Sequence, residues 1–179
     1  MAIALLAVPE AAPPSYEDRI TLNSVATIRL VLDKASNVDE AVALLKQYNI
    51  FFSYGIYVHF LIADRSGNSA LISYFDGEVK VTKTDEDFQI ASNFIAYSGV
   101  NIGFGTCEFE RYNRVRQVIE ENGGILSEAQ VIKLLEEVGG RDARGRNILE
   151  WTVVYNLSTL EGVMFANRNT DNLIRFTLN

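Results

Sequence analysis

The 179-residue sequence predicts an α+β fold built on antiparallel sheets, in one domain spanning 1–179. Three observations predict it. Strand patterns stand at both ends with helical patterns between them, the strands follow one another through tight turns rather than helical crossovers, and the chain is 48% hydrophobic with 11% aromatic residues, enough for a substantial core.

The opening "MAIALLAVPE" is apolar but carries no positively charged leader and no cleavage-site pattern, and it has too few apolar residues to span a bilayer. It reads as a buried strand. "PEAAPPSYEDR" then holds all three prolines without periodicity and reads as an extended surface connection.

Apolar residues at Val25, Ile28, Leu32 and Ala35 predict a helix capped by Asn23 or Ser24. Asn37 caps a second, with Asp39 and Glu40 in its first turn, where acidic groups suit the helix dipole; it runs to about Tyr48. "IYVHFLIAD", "NSALISYF" and "EVKVTK" form a three-stranded antiparallel meander, its second turn made by Asp76-Gly77.

"FQIAS" reads as a short strand stopping at Asn93, and the glycine-rich "YSGVNIGFG" as loop. A helix from about Glu110 carries Tyr112, Val115, Val118 and Ile119 on one face and ends at Gly123-Gly124. Ser127 and Gln130 make a capping box for a fourth, and "ILEWTVVYNL", "GVMFANR" and "LIRFTL" are closing strands, the first two joined at "STLE".

Sixteen basic residues stand against twenty-three acidic ones, a net charge of -7, without a basic cluster on one face. Nucleic acid is not an expected partner, and neither is a membrane. The single cysteine cannot form an internal disulfide, so the cytoplasm is the expected compartment.

Cys107 lies four residues before Arg111, which would support a thiolate if the helix already began at the cysteine; without a motif around it, the thiol reads as structural or incidental. His59, the only histidine, reads as a hydrogen-bonded core or edge residue, so no metal and no cofactor is expected. Asp64 and Asp76 read as turn caps and Asp85, Glu86 and Asp87 as a solvated acidic run; "GGRDARGR" follows a helix rather than opening one and makes no phosphate cradle. Asn93 admits two readings: a turn-forming asparagine, which spacing alone favours, or an amide that donates to a developing oxyanion.

In order, "LNSVATIRLVLDKASNVDEAVALLKQYNI", "HFLIADRSGNSALISYFDGEVKV", "ASNF", "ERYNRVR" and "WTVVYNLSTLEGVMFANR" resemble the choloylglycine hydrolase-like family of linear-amide carbon-nitrogen hydrolases, which includes bile-salt hydrolases, penicillin V acylases and acid-ceramidase-like amidases. The resemblance implies the N-terminal-nucleophile (Ntn) hydrolase fold, an αββα sandwich, and cleavage of an unactivated amide by an N-terminal cysteine whose own α-amine is the base. It implies that Asn93 donates to the oxyanion and that Arg111 stands beside the nucleophile.

The family's nucleophilic cysteine belongs to an N-terminal half, whereas this chain begins inside a later strand of the pattern, and removing Met1 would expose Ala2. The expectation is therefore the C-terminal portion of an Ntn-type amidase acting on a small-molecule amide, inactive alone, and associating with a second copy or a nucleophile-bearing chain through open sheet edges. The alternative is a non-catalytic binding or assembly module that keeps the fold. A complete hydrolase using Cys107, Arg111 and His59 ranks last.

Overall fold

Alternation along two strands builds the centre of the fold. In the computed structural model, which describes residues 1–97, 100–140 and 148–178, β4 (Val58–Ala63) and β5 (Ser69–Phe75) pair antiparallel with Phe60 opposite Ile72 and Ile62 opposite Ala70. Opposed residues share a face, so Val58, Phe60 and Ile62 point the same way as Ala70, Ile72 and Tyr74. There they meet Val31, Val38, Ala41 and Leu45 from helices α1 (Ser24–Lys34) and α2 (Val38–Leu45) in one buried cluster. Complete burial of each large side chain contributes roughly 1.5–3 kcal/mol.

The chain forms two compact units, Met1–Glu110 and Arg111–Asn179. In the first, β6 (Glu78–Thr82) extends the meander through the Asp76-Gly77 turn, where both residues have positive φ, 58° and 70°. That is the conformation a two-residue hairpin demands. The meander gains a fourth strand: β1 (Ala2–Ala7) lies antiparallel to β4, giving the order β1-β4-β5-β6. It is a half-buried edge strand, with Ala4 and Leu5 exposed, not the fully buried strand its composition suggests.

Both helices begin where their caps predict. The Asn23 side chain accepts from the Ala26 N–H and the Asn37 side chain from the Glu40 N–H. α2 closes at Leu45, earlier than expected, and Lys46–Tyr48 form turns instead. The proline-rich connection is extended as predicted and tied down: the Ala12 N–H donates to Tyr74, and buried Asn49 both accepts from the Tyr16 N–H and donates to the Tyr16 carbonyl.

Four further expectations require correction. β2 (Thr21–Asn23) and β3 (Asn49–Phe51) pair in parallel across α1 and α2, a crossover in a chain expected to have none; ladders of three residues are too short to show a period. "FQIAS" is not a strand: β7 (Phe94–Tyr97) starts just after Asn93 and pairs antiparallel with β8 (Val100–Gly103), drawn from the stretch expected to be loop. Gly103 is compatible with pairing because it is needed for a close approach. A Cβ there would stand 2.8 Å from the Phe109 ring.

The third correction is the start of α3 (Cys107–Glu121), three residues before Glu110, because the Thr106 carbonyl accepts from the N–H groups of Phe109 and Glu110. The fourth is its apolar face: Tyr112, Val115, Val118 and Ile119 are half-buried rather than core.

In the second unit, Ser127 and Gln130 form the predicted capping box of α4 (Glu128–Val138). β9 (Trp151–Asn156), β10 (Glu161–Ala166) and β11 (Ile174–Thr177) form an antiparallel sheet in the order β11-β10-β9. Ile132 of α4 packs with Val163 and Phe165 of β10 in this unit's core.

Candidate active site

Asn93 occupies the junction between an irregular segment and β7, half-buried, and its Nδ2 donates to the Ala7 carbonyl at the end of β1, 3.0 Å away. It was expected to end a strand; it precedes one. The residue before it is fixed as well. The Ser92 carbonyl lies 2.9 Å from Nε2 of His59 on β4.

Because a carbonyl only accepts, Nε2 carries the proton and the neutral ring leaves Nδ1 bare. Nδ1 is buried and has no partner among the described residues. His59 is 1% exposed. Burial lowers its pKa from 6.5 to about 4, against the opposing effect of the Ser92 bond, so the ring is uncharged near neutrality.

His59 on β4 is register-paired with Leu6 on β1, the neighbour of Ala7. Ser92 and Asn93 are therefore pinned to adjacent strands by two bonds that span 33 and 86 residues. Phe94, immediately following, is buried against Phe109 with ring centroids 4.4 Å apart and a 31° tilt. This stack ties the β7–β8 hairpin to the first turn of α3.

Cys107 is the first residue of that helix and is exposed. Arg111 follows one turn later, half-buried, at the start of the second unit. The complete-hydrolase reading needed His59 as base for Cys107, but the bare Nδ1 of the histidine is buried whereas Cys107 is exposed.

Asp64 is a buried structural carboxylate. Oδ1 accepts from the N–H groups of Ser66 and Asn68, as a turn cap does, and Oδ2 accepts from the Val38 N–H. Asp85, Glu86 and Asp87 are exposed. Most of "GGRDARGRN", residues 141–147, lies outside the described residues. Among the described residues, no three His, Cys, Asp or Glu side chains are grouped to hold a metal ion, and no helix is long and apolar enough to cross a membrane.

Residues 16–155, which contain both Asn93 and Arg111, match the family described as acyl-coenzyme A:6-aminopenicillanic acid acyl-transferase. The chain belongs to this family. The family's description is of acyl transfer, and the match agrees with the resemblance read from the sequence.

Solved structures agree on the fold. A variant of conjugated bile acid hydrolase from Clostridium perfringens superimposes with a TM-score of 0.70 at 14% identity, covering 98% of this chain and 69% of that one. Penicillin V acylase from Agrobacterium tumefaciens gives 0.71 at 18% identity, covering 98% and 62%. The mixed helix and antiparallel-sheet architecture is thus that of the Ntn hydrolases. No curated protein matches the sequence.

The sequence reading missed the clamp on Ser92 and Asn93. No local signal could have revealed it, since neither bond joins residues near in sequence.

Proposed function

We propose that this chain is the C-terminal portion of a cysteine-dependent linear amide hydrolase, supplying Asn93 as oxyanion donor and Arg111 as the cation that supports a nucleophile held elsewhere. The observation that carries this reading is membership of an acyl-transferring Ntn family across a segment that includes both residues. The only cysteine here, Cys107, is exposed at a helix start inside the chain and so has no free α-amine of its own to serve as its base. The nucleophile is accordingly an N-terminal cysteine of another segment, and the chain acts with that partner or in an assembly of copies, in the cytoplasm.

In the proposed reaction the cysteine α-amine takes the thiol proton and the sulfur attacks the acyl carbon of the amide. The carbonyl electron pair moves onto oxygen, where the Asn93 amide donates. Collapse expels the amine, which takes the proton back from the α-ammonium, and leaves a thioester. Water then adds to the thioester carbon and releases the acid and the free thiol. Loss of one oxyanion donor costs on the order of 100- to 1000-fold in rate. Arg111 favours the thiolate electrostatically.

The test is to co-express the chain with the upstream coding region and measure amine release from penicillin V, conjugated bile acids, N-acyl amino acids and acyl homoserine lactones. Association with cleavage of any of these, abolished when the partner's N-terminal cysteine is changed to alanine, supports the reading. Failure both to associate and to cleave overturns it in favour of a non-catalytic module. That second reading draws on the burial of the sole histidine, whose bare Nδ1 is enclosed and whose pKa is lowered to about 4, which makes it a poor general base for the isolated chain.

A further inference from the structure

We propose that His59 is the positioning residue of the site: its Nε2–H holds the Ser92 carbonyl and thereby fixes the backbone from which the Asn93 amide projects. The proposal rests on Asn93 being the oxyanion donor.

A histidine buried to 1% exposure for packing alone would be better replaced by leucine or phenylalanine, because desolvating an imidazole is costly. Here the ring has a single polar partner among the described residues, and that partner is the residue before Asn93. The bond crosses 33 residues of sequence to an otherwise irregular segment. On the other side, Asn93 itself donates to Ala7, on the strand adjacent to His59.

These two tethers act on consecutive residues from two hydrogen-bonded strands, so the sheet takes part in setting the amide direction. Oxyanion stabilisation depends on such preorganisation: a donor that must be reoriented during the reaction loses most of its advantage. Removing the His59 tether releases the Ser92 carbonyl, and with it the hold of β4 on the backbone that leads into Asn93. Glutamine can present an amide N–H at a similar reach, whereas leucine fills the space and donates nothing.

The experiment compares His59→Gln and His59→Leu in the full chain, selectively 15N-labelled at asparagine, with Asn93→Asp assigning the Asn93 side-chain amide signals. Circular dichroism and the remaining asparagine signals report folding. In His59→Leu the Asn93 amide signals are expected to shift and broaden with the other asparagine signals unchanged, and His59→Gln is expected to restore them. In the complex with the nucleophile-bearing chain, His59→Leu should lower kcat roughly tenfold with KM nearly unchanged, and His59→Gln should recover most of it.

An unaltered Asn93 signal in folded His59→Leu overturns the proposal whether or not amide cleavage is found. Should His59→Leu not fold, Asn93 signals in His59→Gln that match those of an unstructured asparagine overturn it equally. If the Asn93 signals respond as expected while the complex cleaves no amide, the hydrolase reading fails and the hold of His59 on Asn93 stands.

Discussion

The backbone N–H of Val38, the first residue of α2, donates to Oδ2 of Asp64 in the β4–β5 turn at 3.1 Å. One carboxylate thus closes a hairpin turn and caps a helix 26 residues away in sequence, joining the helical layer to the sheet. Asp64→Ala would leave three backbone N–H groups without their acceptor and is expected to destabilise the fold by about 3 kcal/mol. Asp64→Asn keeps an acceptor oxygen and should cost about 1 kcal/mol. Urea denaturation of the two variants measures the difference.

Two buried groups set the acid stability, in separate pH windows. For His59 the unfolded ring takes up a proton near pH 6.5 and the folded ring only near 4, so the unfolded state binds more protons between them. Stability is full above pH 6.5 and falls as pH drops towards 4, by roughly 3 kcal/mol in all. Burial raises the Asp64 carboxyl pKa, but the bonds from Val38, Asn68 and Ser66 outweigh it and hold the group below its ordinary 3.8. Its contribution is present above pH 3.8 and is lost as pH falls further. Denaturation midpoints measured from pH 8 to pH 3 should show the first loss in the wild type and not in His59→Gln.

Gly103→Ala would press a methyl group into the Phe109 ring at 2.8 Å and against Cβ of Phe94 at 3.3 Å. The expected cost is about 1–3 kcal/mol, the usual penalty of overpacking. Phe109→Leu in the same chain should recover part of it, and the non-additivity in a double-mutant cycle by thermal melting would demonstrate the contact.

Local chemistry explains which parts of the fold were legible in the sequence. Asn23, Asn37 and the Ser127–Gln130 box act within three residues of themselves, and the meander strands are joined by turns whose residues announce their geometry. The Asp64 side chain was legible as a turn cap but not as the acceptor for Val38, which depends on how α2 packs. β7 and β8 were hidden because Gly103 suggests a loop until the Phe109 ring is in place, and "FQIAS" has strand-like residues but no strand to pair with. At the site, Asn93 could be singled out only through resemblance, while its anchors on β1 and β4 exist only in the folded chain.

Cys107 gives the clearest separation between a thiol that reacts and one that is merely present. It is exposed at the first turn of α3, so modification requires no opening of the fold, and the sole histidine is engaged with Ser92. Cys107→Ser should therefore change the denaturation midpoint by less than about 0.5 kcal/mol equivalent, as surface substitutions do. In the complex with a nucleophile-bearing partner, amine release should be unchanged by Cys107→Ser yet abolished by iodoacetamide acting on the partner's N-terminal cysteine. Rates measured with and without the reagent, in wild type and variant, make the comparison. Turnover by the isolated chain that disappeared in Cys107→Ser would instead make this exposed thiol the nucleophile.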